Sequence, residues 1–191
     1  MLFRSADRAS LADQINALLQ QQRTREADAA LGKLLNAFPN DAEGLLLLGR
    51  LRYMERRCPE AESALRQHLA AEPESLNGLI QLSLAQLCQR HWTNAITTLE
   101  RAVALKPDFA QAHLNLGLAR SRHGDSAGAI RSYRDALRCN PGDLGAHIAL
   151  AEELANDGQL DAAKEHVNRA AALNPNDPRV QKAREQLGLK P

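Results

Sequence analysis

The side chains best able to hold a metal or attack a substrate here are six histidines and three cysteines, and their spacing builds no centre. Cys58, Cys88 and Cys139 are odd in number and include no C-x-x-C pair, so neither a disulfide framework nor a zinc site is suggested. Reduced thiols in a cytosol-like compartment are the simplest reading. His113 and His147 stand 34 residues apart, in one column of the repeat described below. They are read as packing residues, because a metal site needs further ligands in suitable geometry. Cys88 and His91 lie one helical turn apart near a helix end, again without a third ligand. There is no Gly-rich phosphate loop, no H-E-x-x-H and no G-x-S-x-G, and no pair of carboxylates stands out from the surface charges. No enzyme activity, metal, cofactor or small-molecule substrate is expected.

Charge and composition narrow the classes further. Net charge is +1, so no overall field favours nucleic acid or an anionic membrane. Arg50, Arg52, Arg56 and Arg57, with Glu55 among them, read as a solvated helix end. The longest apolar run, around residues 45–48, is far too short to span a bilayer. Met1-Leu2-Phe3 is interrupted by Arg4, Asp7 and Arg8, which is not a targeting segment; a cytoplasmic location is expected. The chain is 44% hydrophobic but only 3% aromatic. A core so poor in rings must rely on Leu and Ala at close helix–helix contacts.

The elements that position these residues repeat. Pro39, Pro73, Pro107, Pro141 and Pro175 follow one another at intervals of 34, and each ends a helix, since proline lacks an amide donor and disfavours helical geometry in the residue before it. Ala27, Ala61, Ala95, Ala129 and Ala163 keep the same step, as do Leu48, Leu82, Leu116 and Leu150. So do Gly49, Ser83, Gly117 and Ala151, a small column expected where two helices approach closely against the alanine column. After four of the prolines an Asp or Ser stands where the next helix begins: Asp41, Ser75, Asp143 and Asp177. Such side chains accept hydrogen bonds from first-turn amides, worth about 1 kcal/mol each. Gly124 and Gly158 are placed to end helices in the left-handed conformation. Trp92 is read as covering a helix joint. Residues 178–189 start with proline and carry Val180, Ala183 and Leu187 on one side, as a closing helix would.

The best copy, residues 110–143, reads Leu116-Gly117, then Gly124, Ala129, Tyr133, Ala136 and Pro141. It resembles the tetratricopeptide repeat, a helix–turn–helix unit of about 34 residues. The resemblance implies an all-α fold, a right-handed α-solenoid of five units at 8–41, 42–75, 76–109, 110–143 and 144–177, closed by a capping helix within 178–191. Residues 1–7 match no repeat column and read as a doubtful extension, with the true start upstream. The first unit, whose first helix spans Leu11 to about Gln20, is a degenerate copy, as terminal repeats of a solenoid tolerate.

The resemblance also implies the work of such arrays, binding a protein or peptide along a concave groove lined by the first helices. Carried over by column, that groove holds Glu43, Leu46, Leu47, Arg50, Tyr53 and Met54 of unit two. Asn77, Ile80, Gln81, Leu84, Leu87 and Cys88 belong to unit three. Gln111, Leu114, Asn115, Leu118 and Arg122 come from unit four, with Ile148 and Glu152 from unit five. Gln81 and Asn115 share a column whose amides hold bound peptide backbone in some family members. The family's clamp for a C-terminal carboxylate is not expected: Ala12 and Leu46 stand where its lysine would be, although Asn16 fits its asparagine. The function implied is that of a non-enzymatic adaptor; the alternative is the substrate-recruiting segment of a larger enzyme, such as a glycosyltransferase or sulfotransferase.

Overall fold

The structure is a computed structural model that describes the backbone of residues 5–189 and the side chains of residues 8–189. The expectation about residues 1–7 therefore lies outside the described residues, apart from the helical backbone of 5–7. Among the described residues there are eleven α-helices and no strand: α1 Ser5–Gln20, α2 Thr24–Ala37, α3 Ala42–Met54, α4 Cys58–Ala71, α5 Leu76–Cys88, α6 Trp92–Leu105, α7 Ala110–His123, α8 Ser126–Cys139, α9 Leu144–Asn156, α10 Leu160–Leu173 and α11 Pro178–Gln186. Helix α1 begins at Ser5, well before Leu11, because residues 5–10 carry no large apolar side chain for a search for apolar periodicity to register. Trp92 is the first residue of α6 and half-buried.

The joints are made as their residues dictate. Asp41 accepts from the Gly44 amide at 2.7 Å, Ser75 from Gly78 at 3.1 Å, Asp143 from Ala146 at 2.9 Å and Asp177 from Arg179 at 2.8 Å. Phe109, at the start of α7, has no side chain able to cap. Within each hairpin the chain reverses through one residue at positive φ, and that residue also recurs every 34 positions: Gln22 at 58°, Arg56 at 62°, Arg90 at 61°, Gly124 at 93° and Gly158 at 80°. Only the last two are glycine, the residue for which this conformation is free of strain.

The chain divides into two compact units, Met1–Thr98 and Leu99–Pro191. In the first, α1 packs on α2, α3 on α4, and α3 also against both α1 and α5. Ile15, Leu31, Leu34, Leu47 and Leu51 form part of its core, each at most 1% exposed. In the second, α7 pairs with α8 and α9 with α10, while α11 covers both α9 and α10. Its core runs from Ala129 and Tyr133 through Leu150 and Leu154 to Val167, and takes in Val180 and Ala183 from α11. The small column does sit at close crossings. A methyl added at Gly49 would lie 2.4 Å from Leu65 Cγ, and one at Gly117 would lie 2.4 Å from Tyr133 Cε1. The nearest facing atoms thus come from Leu65 and Tyr133, one turn beyond the alanine column.

One expectation is overturned. Cys58 and Cys88 are joined as a disulfide, with Cα atoms 6.2 Å apart, and are not reduced thiols; Cys139 alone is free. Cys58 opens α4 and Cys88 closes α5, so packing of α4 on α5 brings together sulfurs that are 30 residues apart in sequence. Counting cysteines cannot see this pairing, which depends on where two helix ends meet.

Candidate peptide-binding surface

The first helices of the hairpins neighbour one another, α3 between α1 and α5 in the first unit and α9 between α7 and α11 in the second. Side chains in the same column of successive first helices therefore come close in space within a unit. In the first unit Leu46, Tyr53, Gln81, Leu84 and Leu87 are half-buried, while Met54 and Asn77 are exposed. Leu47 and Ile80 are buried, at 1% and 7% exposure. Cys88 is an exposed residue whose sulfur is taken up in the disulfide. Glu43 has the Arg8 guanidinium 3.9 Å away.

Arg50 donates through Nη1 to Asn16 Oδ1 at 2.7 Å, so the asparagine that fits the carboxylate clamp is engaged by an arginine from the next repeat. Two of its neighbours in the basic cluster, Arg52 and Arg57, are neutralised locally. Arg52 bridges Asp28 at 2.7 Å and Glu55 at 2.8 Å, and Arg57 pairs with Glu60. The hydrogen bond from Arg57 holds the Glu60 carboxyl below the usual range, and Arg23 does the same for Glu26. The Arg57–Glu60 and Arg23–Glu26 pairs are solvated, each contributing little to stability.

In the second unit Leu114 and Leu118 are half-buried; Gln111, Arg122 and Glu152 are exposed; Ile148 is buried. Asn115 is 6% exposed. Its Oδ1 accepts from Gln111 Nε2 at 2.9 Å, but its Nδ2, also buried, has no acceptor among the described residues. A buried donor without a partner costs about 1–3 kcal/mol, so a fold-only role would favour leucine there. Residue spacing places Asn115 in its column, but it cannot reveal this unmet hydrogen bond.

His68, His113 and His147 serve as packing and capping groups. His113 Nε2 lies 2.8 Å from the Pro107 carbonyl and His147 Nε2 lies 3.1 Å from that of Pro141, the same contact one repeat apart. They do not meet each other; His147 instead meets His166, Nδ1 to Nδ1 at 3.0 Å. His68, 1% exposed, spans from the Ala42 carbonyl to Ser75 Oγ, both at 2.8 Å, and so supports a helix cap. His91 Nδ1 lies 3.5 Å from Glu62, a buried carboxylate. Burial pushes the Glu62 pKa up, but hydrogen bonds from Arg66 and Gln89 outweigh it and the net shift is downward. Among the described residues no three His, Cys, Asp or Glu side chains gather as a metal site would require, and no helix is long and apolar enough to cross a membrane.

Stacked helical hairpins with a small-residue crossing and a proline-closed joint define an all-α repeat scaffold. One tetratricopeptide repeat model matches residues 12–75 and 80–143, and a second such model matches residues 120–187. The chain belongs to the tetratricopeptide repeat family, whose members are typically non-catalytic scaffolds. No curated protein matches it. Among solved structures, PilF of Pseudomonas aeruginosa is similar at 21% identity and a TM-score of 0.84, over 95% of this chain and 82% of that one. A thermophilic TPR protein of Thermus thermophilus is similar at 22% identity and 0.77, over 94% and 98%. YrrB, described as a TPR protein with an unusual peptide-binding site, is similar at 19% identity and 0.72, over 92% and 90%. At such identities the likeness is one of fold.

Proposed function

We propose that this chain is an adaptor that binds a polypeptide segment of a partner on its first-helix faces, with Asn115 donating through Nδ2 to a backbone carbonyl of that segment. The unmet Nδ2 donor is the observation that carries the reading. Exposed Gln111 lies over Asn115 and holds only its oxygen. A bound strand that turns Gln111 aside gains two amide side chains, each with an NH2 group to donate and a carbonyl oxygen to accept. Leu114 and Leu118 beside them are half-buried and offer apolar contact, while Arg122 and Glu152 supply a charged rim. In the first unit Gln81, in the same column, is flanked by Leu84 and Leu87, a second amide among apolar neighbours. Backbone hydrogen bonds between alternating apolar contacts suit an extended peptide. The Cys58–Cys88 bond supports work in an oxidising compartment rather than the cytosol-like one that cysteine spacing suggests.

The test separates binding from folding by the sign of the effect. Peptides selected from a random displayed library on the oxidised full chain should lose at least tenfold in affinity for the Asn115→Leu variant. The same variant should be as stable as the parent or more so, since the unmet donor is gone. Selected peptides that bind Asn115→Leu and a Leu118→Asp variant as tightly as the parent would refute the assignment.

A further inference from the structure

The peptide-binding reading leaves unused a basic cleft on the other side of the second unit. Arg134 on α8, His147 on α9, and His166 and Arg169 on α10 line a space of about 130 Å³, with Leu137, Pro141 and Leu150 as apolar walls. The Pro141 carbonyl can only accept, so His147 carries its proton on Nε2 and presents the bare Nδ1 to the Nδ1–H of His166. His166 is left with an unprotonated Nε2. Burial lowers the His166 pKa; His147, Arg169 and Arg134 lower it further, while Glu165 opposes them. These, on α8, α9 and α10, are the charged and titratable groups that act most strongly on it.

Three readings compete. Two imidazole nitrogens 3.0 Å apart suit a metal, but guanidiniums line the same cleft and a third ligand is missing among the described residues. A purely structural histidine pair leaves Arg134 unexplained, since it has no ion-pair partner among the described residues. The repeat itself supplies the comparison: in the columns of Arg134, His166 and Arg169, the joint between units three and four has Glu100, Ser132 and Asp135. The joint between units two and three has Arg66, Thr98 and Arg101, with Leu79 in the column of His147. The helix hairpin therefore accepts either sign of charge there, and only the last joint combines two arginines with two histidines.

We propose that this cleft binds a tetrahedral oxyanion of the phosphate class, free or as a monoester, between Arg134, Arg169 and His166. Its volume is far below the several hundred Å³ of sites for drug-sized ligands. Two guanidinium forks and an imidazole also offer more donors than the two oxygens of a carboxylate use. Arg169 is held by Glu165 on its own helix, one turn away, and can turn to the anion at little cost because such exposed pairs are weak. The anion makes protonation of His166 Nε2 favourable, converting the bare nitrogen into a donor. By linkage, acid strengthens binding in the same measure. This site uses none of the residues of the peptide-binding proposal and stands or falls separately.

Sulfate is the probe, since it keeps its charge between about pH 6 and about pH 8, where histidine titrates. In the oxidised full chain, sulfate should shift the His166 ring resonances in NMR spectra relative to chloride at equal ionic strength, with affinity about tenfold higher at the lower pH. Arg134→Gln with Arg169→Gln should abolish the response while leaving the helical circular dichroism intact. His166→Gln should keep weaker binding and lose its pH dependence. Competition by inorganic phosphate or by phosphoserine, whichever is stronger, tells the free anion from the monoester. Sulfate and chloride acting alike, binding that survives the double arginine change, or a pH dependence unchanged in His166→Gln would each overturn the proposal.

Discussion

Replacing Gly117 by alanine should destabilise the chain, although the same substitution in an open helix stabilises one. An added Cβ at Gly117 would stand 2.4, 2.5 and 2.9 Å from three ring carbons of Tyr133, where carbon atoms ordinarily rest about 3.5–4.0 Å apart. Tyr133 is 2% exposed, and a planar ring cannot bend aside, so α7 and α8 must part by roughly 1 Å or the ring must leave its rotamer. Such overpacking costs roughly 1–3 kcal/mol. Alanine returns about 1 kcal/mol of helix propensity, which leaves a net loss on the order of 1–2 kcal/mol. Gly32, in α2, has no atom within 4 Å of an added Cβ, so Gly32→Ala should gain the propensity term undiluted. Urea unfolding followed by circular dichroism should move the two midpoints in opposite directions, and in heat each kcal/mol should appear as about 2–4 °C. With Tyr133→Ala already in place, Gly117→Ala should cost nothing, and a double-mutant cycle reads that coupling. A Gly117→Ala protein as stable as Gly32→Ala would refute the claim that this crossing requires glycine.

Two further outcomes follow from local geometry. Arg90 holds φ at 61°, a left-handed conformation that costs a non-glycine residue roughly 1–2 kcal/mol; after the extra chain entropy that glycine loses, Arg90→Gly should still stabilise by a few tenths of a kcal/mol to about 1 kcal/mol, measured by the same urea titration. Reducing Cys58–Cys88, which closes a separation of 30 residues, should cost about 3–4 kcal/mol on the chain-entropy account, read as the difference between unfolding curves with and without a phosphine reductant; coincident curves would show that the bond does not contribute.

Most of the fold was legible because the repeat reports the same facts five times. The prolines and the Asp and Ser caps each answer to one local requirement, and Phe109, the one joint residue that cannot cap, was visible as the exception. Less legible was whatever depends on a specific meeting of two helices. The column that ends the first helix in glycine at Gly124 and Gly158 passes through Gln22, Arg56 and Arg90 in the same left-handed conformation, unmarked by residue type. For the binding surface, a column names a direction but not a depth: Leu46 is half-buried and its neighbour Leu47 is 1% exposed. Asn115 was visible by column, whereas its unmet Nδ2 needed the surrounding atoms. Arg134, His166 and Arg169 gave no signal because their columns accept either charge.

The Cys58–Cys88 bond also bears on how this array would respond to force. A solenoid pulled from its ends comes apart hairpin by hairpin, each lengthening the tether as its helices straighten. With the sulfurs joined, the chain between them, a sequence separation of 30 residues, cannot contribute to extension, which withholds roughly 100 Å of contour length at about 3.3–3.6 Å per residue. Oxidation therefore sets how far the chain can be drawn out, and most of α4 and α5 stays off the line of tension until the bond is cut.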